Sequence, residues 1–246
     1  MRILHTKVNR RRGSVVFIRM STPVWGASRG CVVLGGRAKV CAFRPSVRAA
    51  IRTLLVTLVA STAYAQDNAI DTETLIRVLQ LKPGHVVAEI GAGGGELTIA
   101  LAKHVGPDGR VFTSELGDER LAKLRGAIEK SGASNVQVVE GQTAHANLPD
   151  LFCDAIFMRN VYHHFADPTT MNASFVRALK PGTRVAVIDF PPRNNAATAP
   201  PGKRGEEAAH GVTAEVVASE LKAAGLTIIS TEDRPNRWFL VVAQKP

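Results

Sequence analysis

From about residue 70 onward, apolar and polar positions follow two alternating rhythms. Stretches at 70–81, 95–104, 117–131, 168–180 and 212–224 repeat their apolar residues every three or four positions, the period of a helix with one buried face. Short apolar runs at 85–90, 110–115, 136–140, 154–159 and 183–189 lie between them and read as strands. Leu-Lys-Pro-Gly occurs at 81–84 and again at 179–182, each time closing a helix and launching a strand. Proline cannot continue a helix and glycine makes the turn. This alternation predicts an open, doubly wound, mostly parallel α/β sheet. The last two apolar runs, 227–230 and 238–243, have only the turn-rich 232–236 between them. They are predicted to pair as an antiparallel C-terminal hairpin, which brings the sheet to seven strands. Residues 66–246 suffice for one domain with a full core.

The run at 86–90 ends in Glu89-Ile90, and three glycines follow at 91, 93 and 95, with a helical pattern directly behind them. Strand, glycine turn and helix is how such a sheet presents backbone N–H groups to a nucleotide-like ligand. A dinucleotide fingerprint, G-x-G-x-x-G/A, needs a small residue at 96, where this chain has Glu96. The pattern is instead acid-x-G-x-G-x-G. A second acid, Glu115, ends the next strand some twenty residues on, where a carboxylate can take both ribose hydroxyls. Nicotinamide enzymes use the same device, so Glu115 supports a nucleoside without naming the cofactor.

The glycine pattern resembles the first motif of the class I S-adenosylmethionine-dependent methyltransferases, and the resemblance continues in order over roughly residues 70–246. After the third strand, where those enzymes usually carry an acid against the adenine amino group, this chain has Gln142-Thr143, and a glutamine amide can both donate and accept there. The fourth strand ends in Arg159-Asn160 and is followed by His163-His164, as in the small-molecule, type 11 branch. The resemblance implies S-adenosylmethionine as cofactor, with Glu89, Gly91, Ala92, Gly93, Gly95, Glu115, Gln142, Thr143, Arg159 and Asn160 around it. It also implies the mixed sheet with a terminal hairpin. Two other classes stay open. A nicotinamide-dependent oxidoreductase fits the glycine unit and Glu115, but not Glu96 or the hairpin. A cofactor-binding protein without turnover fits throughout.

Charge separates the chain into two materials. Of its 31 Lys/Arg, twelve lie in the first 65 residues, which hold none of the 21 Asp/Glu; the remainder has 19 against 21, a net charge of −2. The overall +10 therefore belongs to the leader, and a nucleic-acid partner is not indicated for the domain. Residues 47–65 run from a short basic stretch through the apolar Thr53–Ala60 to Ala63-Tyr64-Ala65, the order of a signal peptide with cleavage before Gln66. The apolar run is too short to span a membrane. Residues 1–46 then read as a basic extension upstream of the true start. This predicts an exported, periplasmic protein; a cytoplasmic one with a basic tail is the alternative. Only Cys153 follows the cleavage site, so the mature domain holds no internal disulfide.

Methyl transfer from a sulfonium needs mainly alignment and exclusion of water. A general base matters where the acceptor is a hydroxyl, phenol or acidic carbon. His163 and His164 are the candidates, and the bland alternative has one packing the loop and the other facing solvent. No metal is expected, because two adjacent histidines lack further ligands. Asp189, ending the fifth strand, is placed to meet the acceptor or anchor its loop. The irregular insert 190–211 reads as a cover over the acceptor site, with His210 closing onto it. Few aromatics and no basic stripe beyond residue 65 point to a small-molecule acceptor. The pattern leaves its identity and the oligomeric state open.

Overall fold

The computed structural model describes residues 67–204 and 210–246. The expected basic extension, 1–46, and signal-like segment, 47–65, lie outside the described residues. Along the domain the elements alternate as the pattern requires: helix α1 over 67–78, strand β1 Val86–Ile90, α2 Glu96–Val105, β2 Arg110–Glu115, α3 Asp118–Ser131 and β3 Val136–Glu140. Then come β4 Cys153–Arg159, α4 Pro168–Ala178, β5 Leu179–Asp189, α5 Ala214–Ala223, β6 Thr227–Asp233 and β7 Phe239–Gln244. The second Leu-Lys-Pro-Gly departs from expectation. Helix α4 stops at Ala178, and Leu179 already pairs with Cys153 in the sheet, before a register shift carries the strand on to Arg184. Burial of Leu179 wins over one more helical turn.

The seven strands order as β3-β2-β1-β4-β5-β7-β6. The first five are parallel; β7 inserts antiparallel between β5 and β6, making the predicted hairpin. Burial follows position in the sheet. Strands β1, β4 and β7 are buried almost throughout, whereas β6, at the edge, alternates between partly covered and exposed residues. One face packs α1 and α2 through Leu75, Val78, Leu97 and Leu101; the other packs α4 and α5 through Met171, Phe175, Val217 and Leu221. Leu124 and Ile128 of α3 join Ala92 in a smaller cluster. Cys153 sits fully buried at the start of β4, and burial pushes its thiol up to about 12, so it is a packing residue. Strand order reverses between β1 and β4, the point at which doubly wound sheets open a crevice at their carboxyl ends.

Candidate functional site

A cavity of about 720 Å³ opens at that crevice, a volume suited to a nucleoside-sized ligand. Two of the loop glycines between β1 and α2 do opposite work. At Gly95, with φ of 82°, an added Cβ would lie 2.8 Å from Cδ1 of Leu124, so this glycine lets α3 pack against the loop. At Gly93, with φ of 56°, nothing lies within 4 Å of an added Cβ, and the backbone faces the cavity. At Gly91, with φ of 71°, an added Cβ would lie 2.5 Å from Val161, and Ala92 lines the cavity.

Three carboxylates surround this loop on the cavity wall. Glu89 of β1 is only 3% exposed and accepts the hydroxyl of Thr98, which also meets Thr113 at 2.9 Å. Burial raises the Glu89 carboxyl from 4.5 to about 7, against the lowering effects of Thr98 and Arg159. Glu115 accepts the Gly93 N–H at 2.8 Å on one oxygen and the Leu116 N–H at 2.9 Å on the other. Glu96, at the start of α2, folds back so that its carboxylate lies 2.5 Å from where a Cβ on Gly94 would stand. Sequence reading used Glu96 only to exclude a dinucleotide fingerprint. Its fold-back over the loop, which turns it into a wall residue, has no local sequence signal.

Across the cavity, Asp71 of α1 ties two arginines together. Arg159, ending β4, donates to Asp71 at 2.9 Å and to Asn68 at 2.7 Å, while Arg234 reaches the other Asp71 oxygen at 2.6 Å. Arg234, Pro235 and Trp238 bring the β6–β7 turn to the rim. Gln142 and Thr143 line the wall after β3, and Asn160, with φ of 61°, donates its N–H to Ile188 at 2.9 Å. The turn residues and Asp71 escaped sequence reading because they are remote from every motif along the chain.

The histidine pair divides. It forms a 3-10 turn after β4. His163 is fully buried: its Nδ1 lies 2.9 Å from Asp189, its backbone N–H donates to the same carboxylate at 3.1 Å, and its Nε2 lies 3.1 Å from Nε2 of His210. His164 lines the cavity. Its imidazole is lowered by partial burial first and then by His163 and His210; His210 is lowered in the same way. Of the insert 190–211, His210 reaches the histidine pair, with its ring 5.7 Å from that of His164. None of the insert's described residues lines the cavity. Buried Arg204 pairs with Glu220 of α5, Glu220 takes the Tyr162 hydroxyl at 2.9 Å, and Gly202 donates to Ala166 at 2.7 Å. A buried guanidinium needs its carboxylate, and that need draws the segment onto α5.

A family model described as a methyltransferase domain matches residues 88–187, the stretch from β1 into β5 that builds this cavity. A solved S-adenosylmethionine-dependent methyltransferase from Aquifex aeolicus superposes with a TM-score of 0.62 at 26% identity, over 72% of this chain and 90% of that one. Over these residues the chain matches the class I S-adenosylmethionine-dependent methyltransferases in sequence and in fold. Among curated methyltransferases, the ubiquinone/menaquinone biosynthesis C-methyltransferase of Saccharophagus degradans is 30% identical over 122 residues, 49% of each chain. The arsenite methyltransferase of Halobacterium salinarum is 28% identical over 131 residues, 53% of this chain and 34% of that one. The chain thus spans about half or less of the length of these curated methyltransferases. Seven strands with an antiparallel β7 are what the methyltransferase resemblance implied.

The donor set fits the family's cofactor. S-adenosylmethionine carries an ammonium and a sulfonium, and the cavity turns three carboxylates toward the glycine loop. A pyrophosphate at the loop would meet the charge of Glu96 and Glu115, the latter offset in part by Arg120 3.6 Å away.

Proposed function

We propose that this methyltransferase transfers the methyl group of S-adenosylmethionine to a small acceptor, and the acidic wall of Glu89, Glu96 and Glu115 is the observation that carries this reading. The chemistry supplied by the cofactor when bound is an electrophilic methyl on a sulfonium that departs as a neutral thioether. Glu115 accepts from the ribose hydroxyls, the open backbone at Gly93 admits the methionine part, and Gly91 leaves room for the Val161 side chain. Glu89 faces its ammonium, while Gln142 and Thr143 take the adenine edge. Ala92 forms the floor, and Arg159 with Asn160 holds the end of β4. Gly95 acts one step back, by seating α3. His164, at the cavity wall, accepts a proton from an acceptor hydroxyl, phenol or acidic carbon. His163 is the positioning residue behind it, fixed by Asp189.

The relatives' names include carbon and arsenic acceptors, so the acceptor is left at the level of a small molecule. Among the described residues no helix is long and apolar enough to cross a membrane. We infer from residues 47–65 that the protein is exported and begins at Gln66; sequencing the N-terminus of protein from its native host tests this, and an intact leader on a soluble protein rejects it.

Isothermal titration with S-adenosylmethionine, S-adenosylhomocysteine and NAD tests the cofactor assignment. The first two should bind and NAD should not; tighter NAD binding would return the oxidoreductase reading. Consumption of the methyl donor with pooled metabolites then separates an enzyme from a binder.

A further inference from the structure

His163, His164 and His210 come together from the turn after β4 and from the insert after β5, and one ring nitrogen from each lies within 4.8 Å of the other two. Sequence reading dismissed a metal because the histidine pair lacked a third ligand. The fold supplies one: His210 stands 47 residues from His163, and the two Nε2 atoms are 3.1 Å apart. In a tetrahedral zinc site, with Zn–N of 2.0–2.1 Å, neighbouring ligand nitrogens stand about 3.4 Å apart. The His163–His210 pair is already close to that spacing.

The surroundings match what a histidine ligand requires. Asp189 is fully buried and takes Nδ1 of His163 at 2.9 Å. A carboxylate at Nδ1 fixes the proton there and leaves the lone pair on Nε2, which faces Nε2 of His210 at 3.1 Å. Asp189 is itself held, accepting N–H bonds from His163 at 3.1 Å and Phe190 at 2.9 Å. Phe190 packs against both His163 and His210, with centroids 4.8 and 5.1 Å away, and restricts their rotation. The ring of His164 lies over His163 at 3.9 Å and is exposed enough to turn its nitrogen inward. Three imidazoles, a buried carboxylate behind one of them and an open fourth side form the ligand set of a zinc-class site.

We propose that His163, His164 and His210 bind a divalent transition ion of the zinc class, with Asp189 orienting His163. Because His164 also forms cavity wall, the ion sits at the cavity's edge with its fourth position toward an oxygen or sulfur donor. In the loaded form the ion activates a coordinated acceptor atom and the His164 nitrogen is a ligand; in the metal-free form that nitrogen is the base. This consequence rests on the methyl-transfer reading, whereas the metal site does not.

Titration of the full, untagged chain with Zn²⁺, against a chromophoric chelator, tests the site. Saturation at one equivalent is expected. His164→Ala and His210→Ala should each weaken binding by at least about 100-fold, and Asp189→Asn by about 10–100-fold, as for a lost partner behind a ligand. His85→Ala, altered just before β1 at the opposite end of the sheet, should bind like the parent. Co²⁺ in place of Zn²⁺ should give visible bands of a tetrahedral ion that vanish in His210→Ala. His164 and His210 are exposed, so circular dichroism should show both variants folded. Binding that survives in both variants, or no stoichiometric binding by the parent, overturns the proposal. Titration of the same variants with S-adenosylmethionine separates this outcome from failure of the methyl-transfer reading.

Discussion

A single buried acid, Glu89, sets a pH dependence that can be worked out with its sign. Unfolded, its carboxyl ionises near 4.5; folded, burial holds the proton on until about 7. The native state therefore binds the extra proton between these values. Its stabilising share is complete below 4.5, declines as pH rises, and is lost above about 7. The difference is on the order of 3 kcal/mol. Glu89→Gln should flatten the fall in melting temperature from about pH 5 to about pH 8, and equal slopes in parent and variant would refute the assignment. Proposed contact with the cofactor's ammonium pulls the same group the other way. S-adenosylmethionine should then bind more tightly as pH rises through 7, with proton release visible as a buffer-dependent titration enthalpy.

At the scale of elements, the glycine loop separates packing from binding within three residues. Gly95→Ala adds a methyl 2.8 Å from Leu124, in a left-handed backbone with φ of 82°. The strain and the overpacking together should cost about 2 kcal/mol or more. Gly93→Ala meets open space, so its cost should stay near the roughly 1–2 kcal/mol of the backbone alone. Gly93→Val carries the larger obstacle into the cavity and should block the cofactor. Thermal melts and titration of each variant give the check: Gly95→Ala as stable as Gly93→Ala would mean that α3 does not rest on the loop. Sequence alone marked all three glycines of the motif as ligand-facing. Spacing along a chain cannot tell a glycine that faces a ligand from one that faces a helix, because the helix arrives from elsewhere in the fold.

For the molecule as a whole, Asp71 joins α1, the end of β4 and the β6–β7 turn around one cavity. Asp71→Ala leaves two arginines without their shared carboxylate, of which Arg159 is 17% and Arg234 14% exposed in the side chain. The loss should be about 3 kcal/mol, as for breaking a largely buried pair. Trypsin should also cut sooner in the β6–β7 turn, after Arg237, because the Arg234–Pro235 bond itself resists trypsin. A variant with the parent's melting temperature and cleavage rate would show that the turn is held by Trp238 and the strands instead.

Much of this architecture is set by local and periodic forces, and those are readable in one dimension. Helix and strand periods, the paired Leu-Lys-Pro-Gly breaks and the missing helix before β7 determine a doubly wound sheet with a terminal hairpin, because each depends on neighbours a few residues apart. Glu89, Gly93, Glu115 and Asn160 follow from the strands that end beside them. What only the tertiary structure decided is which distant side chains share a charge or a ligand set. Glu96 turns over the loop, Asp71 gathers Arg159 and Arg234, Arg204 of the insert pairs with Glu220, and His210 meets His163. Those pairings arise from the cost of burying an unmatched polar group, which depends on what the whole fold brings alongside it and leaves no period in the sequence.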